Sequence, residues 1–312
     1  MSIATELQDL NDNILDAYTA IGNKGGTVPA QKNTANLDTA IGSIPAAPET
    51  YIPLAVNPLS NTLEKPSTSF TWSAPSTAPI IGDYALALAF YKSGITSADF
   101  SNVNTIRMHG LESAFYGCTN LTSIDLSSVT TIGTEALRNT FVACTNLTAA
   151  DLSGITNTGS SGLYNAFEGC ISLTTIDLSN LTTVGTQGLY HTFYGCLALT
   201  TVDLSSVTSS ASESFSNTFK NCTNLTSVDF SGLTSISSNS FYRAFDGCTS
   251  LTSVDLSNVT TISFGGLNAT FSSCRSLTSL SFQALTTSSF GSYSNQFDYM
   301  LSGCSEVTVH FP

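Results

Sequence analysis

The chain has 312 residues, of which 41% are hydrophobic and only 10% charged, so its surface must be clothed mainly in Ser, Thr and Asn. Nine basic residues against twenty-two acidic ones give a net charge of −13, which disfavours binding to nucleic acid or to an anionic bilayer, since both need Lys and Arg. The opening residues, Met1 to Leu10, lack the basic and continuous apolar regions of a secretory leader, and no later run is long enough to span a membrane. No nucleic-acid partner and no membrane insertion are expected.

In the first twenty-two residues Ile3, Leu7, Leu10, Ile14, Ala17 and Ile21 follow one another at steps of four and three. Glu6, Asp9, Asp12 and Asp16 occupy polar positions, and Gly25, Gly26 and Pro29 end the pattern. This spacing predicts a short coiled-coil helix, with Ile3, Leu7, Leu10, Ile14 and Ile21 as an oligomerisation seam. An amphipathic helix packed on its own domain is the alternative. Leu37, Ile41 and Ile44 mark a second short helix. From Pro45 to Pro79 there are seven prolines, which forbid a continuous helix and predict an extended, semi-rigid spacer. Within it Ser69 to Ser73 alternates polar and apolar residues and carries the single tryptophan, Trp72; this piece is expected as a strand over the end of the following domain, with Trp72 packing there. The expected divisions are 1–44, 45–80 and 81–312.

The rest of the chain is periodic. Cysteines recur at 118, 144, 170, 196, 222, 248 and 274, each twenty-six residues after the last, and a fixed period of that length is the mark of a solenoid. Three, six and eight residues after each cysteine stand apolar side chains, as at Leu173, Ile176 and Leu178 or Leu251, Val254 and Leu256. That is the L-x-x-L-x-L strand of a leucine-rich repeat. The return segment spaces Leu137, Phe141 and Cys144, or Leu189, Phe193 and Cys196, by four and three, which predicts a short helix. The expected fold class is therefore an α/β repeat solenoid of 26-residue leucine-rich repeats. An atypical first unit is expected to start at Lys92, with Tyr84 to Phe90 as its cap. The cysteines share one apolar position, which points to free, packed thiols, with a partial disulfide ladder as the alternative.

Units such as Ala166-Phe167-Glu168-Gly169-Cys170 and Leu251-Thr252-Ser253-Val254-Asp255-Leu256-Ser257 resemble BspA-like leucine-rich repeats over about residues 90–312. The resemblance implies a solenoid used for binding or adhesion, in a class common among surface and phage proteins of gut bacteria. Residues Glu6 to Pro45, with their Lys-Gly-Gly-Thr-Val-Pro turn, resemble N-terminal segments of phage tail-fibre and other virion proteins. That second resemblance implies attachment to a particle and oligomerisation.

Two columns of side chains are candidate sites. Asp125, Asp151, Asp177, Asp203, Asp229 and Asp255, preceded by Asp99, hold one repeat position between inward-facing residues and are expected to point outward. Like charges about 5 Å apart in water repel by about 0.8 kcal/mol, so either flanking hydroxyls screen them or cations sit among them. Calcium needs six to eight oxygens, more than two neighbouring aspartates supply, so weak, at most millimolar, calcium binding is the one cofactor expectation. The second column is where the repeat departs from itself. Positions two before each cysteine run Tyr116, Val142, Glu168, Tyr194, Lys220, Asp246 and Ser272, and another column runs Glu112, Arg138, Tyr164, Tyr190, Ser216, Tyr242 and Asn268. Tyr116, Tyr164, Tyr190, Tyr194 and Tyr242 are the candidate receptor or glycan contacts, because tyrosine brings large amphipathic area at low entropic cost.

His109, His191 and His310 lie in separate units, no phosphate-binding glycine loop is present, and every unit offers the same carboxylate pair. No enzymatic activity is expected, and a glycan depolymerase is the least favoured alternative. Taken with the two resemblances, the sequence reads as a virion protein, a tail fibre or receptor-binding protein made in the bacterial cytoplasm. It would be a homo-oligomer, with a trimer as the candidate state. Its partners would be other virion proteins through residues 1–44 and a host-surface glycan or protein through the solenoid. A bacterial cell-surface adhesin is the alternative.

Overall fold

Where a unit alternates polar and apolar residues, a short strand turns the middle side chain inward and its neighbours outward. The computed structural model describes residues 69–71, 80–285 and 297–311, and in it this segment is a three-residue strand in turn after turn. Ser69–Thr71, Ser97–Asp99, Ser123–Asp125, Ala149–Asp151 and Thr175–Asp177 form one parallel sheet. Thr201–Asp203, Ser227–Asp229, Ser253–Asp255, Ser279–Ser281 and Thr308–His310 form a second. Register keeps like beside like, as in Asp125 opposite Asp151 and Val228 opposite Val254. A tight turn follows the strands from Ser97–Asp99 to Ser279–Ser281, closed in one unit by Val207 N–H on the Leu204 carbonyl at 3.0 Å. Two-residue strands such as Thr131–Ile132 and Ser235–Ile236 then build a second wall. The result is a parallel β-solenoid of about nine turns.

The third wall corrects the sequence expectation. Among the described residues there is no helix, and the return segment is a ribbon of overlapping turns. In one unit Ala136, Arg138, Thr140 and Val142 each donate the backbone N–H to the carbonyl three residues back. The intervening Glu135, Leu137, Asn139, Phe141 and Ala143 donate theirs to Ser160, Gly162, Tyr164, Ala166 and Glu168 of the next turn. Positive φ recurs every fourth residue, at Glu135, Asn139 and Ala143. Half of the amides therefore cross between turns, and the ribbon welds the stack much as a sheet does. Because the turns repeat every four residues, Leu137 and Phe141 still face inward together, which is why their spacing imitates a helix.

Phe90, Phe115, Phe141, Phe167, Phe193, Phe219, Phe245 and Phe271 make a continuous column, with ring centroids 5.0 to 5.8 Å apart. Full burial of a side chain of this kind contributes roughly 1.5–3 kcal/mol, and most of it depends on the neighbouring turn. All eight cysteines are free, with Cys118 to Cys274 buried and Cys304 half-buried. Their thiols do more than fill space: Cys144, Cys170 and Cys222 donate to the carbonyls of Phe115, Phe141 and Phe193 at 3.1, 3.1 and 3.0 Å. Burial pushes Cys170 and Cys222 up to about 12, so neither is a thiolate at neutral pH.

At the N-terminal end, Ser69–Thr71 does form the expected strand, pairing with Ser97–Asp99, and Phe70 packs 4.7 Å from Phe90 and 5.9 Å from Phe100. Trp72 lies outside the described residues. Tyr84 to Phe90 is not a cap; it is the ribbon of a turn that precedes the expected first one. Ile80–Ile81 pairs with Thr105–Ile106, and Tyr84, Leu88 and Lys92 donate to Met108, Glu112 and Tyr116. The helical segment 1–44, its seam of Ile3, Leu7, Leu10, Ile14 and Ile21, and most of the proline-rich spacer also lie outside the described residues. No helix among the described residues is long and apolar enough to cross a membrane.

Candidate functional site

The strand wall spends its polar groups on itself. In the units that carry it the aspartate Oδ1 accepts the backbone N–H of the serine two residues on: Ser127 to Asp125, Ser205 to Asp203 and Ser257 to Asp255, at 2.9, 2.9 and 2.8 Å. Asp151, Asp177 and Asp229 do the same for Ser153, Ser179 and Ser231. Each aspartate thus closes the turn that ends its strand. The Ser153 and Ser179 hydroxyls add a second bond, both at 2.7 Å. Asp151 is half-buried and the other five are exposed. Bonds from the Ser205 hydroxyl and amide hold the Asp203 carboxyl below its ordinary value, and the Ser101 amide and hydroxyl do so for Asp99. Threonine hydroxyls are likewise committed: Thr148, Thr174 and Thr226 each donate to the carbonyl of the threonine one turn earlier at 3.0 Å.

The ribbon wall carries the varied side chains, and it brings three of the five candidate tyrosines into one row. Tyr164 stacks on Tyr190 at 4.7 Å, Tyr190 on His191 at 4.5 Å, and His191 on Tyr194 at 5.2 Å. Arg138 lies over the Tyr164 ring at 5.1 Å, and Asn221 Nδ2 reaches the Tyr194 hydroxyl at 3.4 Å. Tyr116 stacks instead on Tyr91 at 5.0 Å, and Tyr242 carries the Arg243 guanidinium at 5.5 Å. All five candidates are half-buried. Burial, with Tyr164, Glu213 and Tyr242 nearby, raises the Tyr190 phenol, and burial plus Lys220 lowers His191, so both shifts favour the neutral ring. Rings stacked on one another give up their faces, so the row offers edges and hydroxyl groups to a ligand.

Sequence reasoning did not single out His191 and Arg138, nor a second cluster at the N-terminal end of the same wall. There His109 Nδ1 lies 2.7 Å from Glu112 Oε2 and 3.6 Å from Glu135 Oε2. Arg138 bonds Glu135 through its terminal nitrogen, which raises the guanidinium pKa, and its Nε lies 4.0 Å from Glu112 Oε1. The signal was arithmetic: Glu135 is one period of twenty-six after His109, and Arg138 one period after Glu112.

A stack of like turns, with one wall committed to construction and another presenting varied side chains, defines a repeat scaffold of the leucine-rich class. The family model described as "BspA type Leucine rich repeat region" matches six copies, over residues 68–161, 141–244 and 243–308, and the chain belongs to that family. Similar solved structures include a T. pallidum leucine-rich repeat protein, 23% identical, covering 70% of this chain and 83% of that one with a TM-score of 0.38. A leucine-rich repeat protein from Bacteroides ovatus is 20% identical over 78% of this chain and 84% of that one, with a TM-score of 0.26. A leucine-rich cell surface protein from Faecalibacterium prausnitzii is 16% identical over 78% and 87%, with a TM-score of 0.24. No curated protein matches the chain.

Proposed function

We propose that the chain is a non-enzymatic attachment protein whose ribbon wall binds a glycan or protein on a cell surface. The observation that carries this reading is the division of labour between walls: strand-wall aspartates and threonines are spent on turns and ladders, while the Tyr164–Tyr190–His191–Tyr194 row and its hydroxyls vary from turn to turn. Edge hydroxyls and an adjacent guanidinium suit hydrogen bonding to a polyhydroxyl ligand better than stacking beneath a sugar ring.

Two carriers fit such a protein. Membership in the BspA type family supports display as an adhesin on a bacterial surface. The resemblance of residues 6–45 supports display on a phage particle, with residues 1–44 forming a trimer and docking to other virion proteins. In either setting, joining several solenoids raises avidity without any new contact. The test is binding of labelled full-length chain to intact bacterial cells, before and after protease or periodate treatment. Saturable binding, lost after one treatment, is expected. Absence of binding, or release of reducing ends from surface polysaccharide, would replace this reading with a purely structural or an enzymatic one.

A further inference from the structure

We propose that His109, Glu112 and Glu135 form a three-ligand site for one divalent transition-metal ion of the zinc type. One ligand atom from each lies within 4.8 Å of the others, with the three residues drawn from two adjacent turns. The separations of 2.7 and 3.6 Å from Nδ1 to the two carboxylates bracket the spacing of about 3.4 Å that tetrahedral ligands about 2.1 Å from zinc require. Small side-chain rotations therefore suffice.

The imidazole is held for this role. His109 stacks on Tyr84 with centroids 4.5 Å apart and planes 12° from parallel. Nδ1 is buried and makes no aligned hydrogen bond to either carboxylate, although Glu112 is close. It is thus left near both acids without being committed to either. Arg138 bonds Glu135 and stands 4.0 Å from Glu112, and its charge offsets the mutual repulsion of the two carboxylates. The three side chains are 16%, 27% and 23% exposed, enough for an ion to enter while leaving one position for water or a donor from a bound partner.

The arrangement occurs at one place in the repeat. Positions equivalent to His109 are held by Glu135, Ser161, Gln187, Glu213, Asn239 and Gly265, so no other turn pairs an imidazole with two glutamates there. One imidazole with two carboxylates suits zinc and its transition-metal neighbours, whereas calcium prefers oxygen alone. This sets the site apart from the aspartate column, which offers oxygens only.

The test is titration of tag-free full-length chain with Zn2+ by calorimetry and with Co2+ by visible absorption, with the thermal midpoint followed in parallel. One Zn2+ per chain at micromolar affinity is expected, with a tetrahedral Co2+ spectrum and a raised midpoint. His109→Ala and the isosteric Glu112→Gln and Glu135→Gln should each weaken binding at least tenfold while leaving the metal-free midpoint near that of the parent. No saturable binding by the parent chain, or unchanged affinity in His109→Ala and Glu135→Gln, would overturn the proposal.

Discussion

Asp229 shows how one residue serves the architecture. It faces solvent, and its Oδ1 takes the Ser231 amide at 2.8 Å, closing the turn after its strand. An intramolecular hydrogen bond of this kind contributes about 1 kcal/mol. Asparagine keeps the acceptor oxygen and removes the charge, whereas alanine removes both. Asp229→Asn should therefore be more stable than Asp229→Ala by about 1 kcal/mol in urea unfolding; equal stability would show that the column is ornament on the turn. Asp203 adds a pH signature. Its folded pKa is lowered from 3.8 by bonds from Ser205, so its stabilising contribution is complete above the ordinary carboxylate range and is lost as pH falls through the lowered folded value. Replacing Asp203 by Asn should flatten that part of the acid stability profile, measured as the thermal midpoint against pH.

The ribbon is the element on which sequence and structure part. The period of twenty-six, the inward strand residues, the outward aspartates and the cysteine position are all legible, because each follows from side-chain alternation or simple counting. The spacing of Leu137, Phe141 and Cys144 predicts a helix face because apolar steps of four and three report which side chains share a side, and not where the amides go. The amides go to the next turn, a long-range fact that no local spacing records. A local signal was nevertheless present in the residue before six of the eight cysteines: Gly117, Gly169, Gly195, Gly247 and Gly303, with Asn221 in the same column, are residues that tolerate positive φ. The tyrosine row was legible as a column of varied residues, but its stacking depends on ring orientation across turns. Ala143, at φ 56°, separates the two descriptions cleanly. In the ribbon, Ala143→Gly relieves a left-handed alanine and should stabilise the chain by about 1 kcal/mol; in a helix the same change would destabilise it by about as much. Urea unfolding gives the sign.

As a whole the described solenoid is held by neighbours. A phenylalanine column, a thiol-to-carbonyl ladder and three hydrogen-bonded walls all run from turn to turn, so stability accumulates as a sum of interfaces between like units. On the proposed reading recognition falls to departures from the repeat, and these are concentrated on the ribbon wall. The most direct measurement is the affinity of full-length chain for intact target cells, compared between Tyr164→Phe with Tyr190→Phe on the ribbon wall and Thr201→Arg on the strand wall. Phenylalanine keeps the stack and removes only the hydroxyls, while arginine at exposed Thr201 disturbs the opposite candidate face. At least a tenfold loss in the tyrosine double variant, with unchanged binding in Thr201→Arg, is the predicted result. Full binding by the double variant and loss in Thr201→Arg would place recognition on the strand wall and contradict the account.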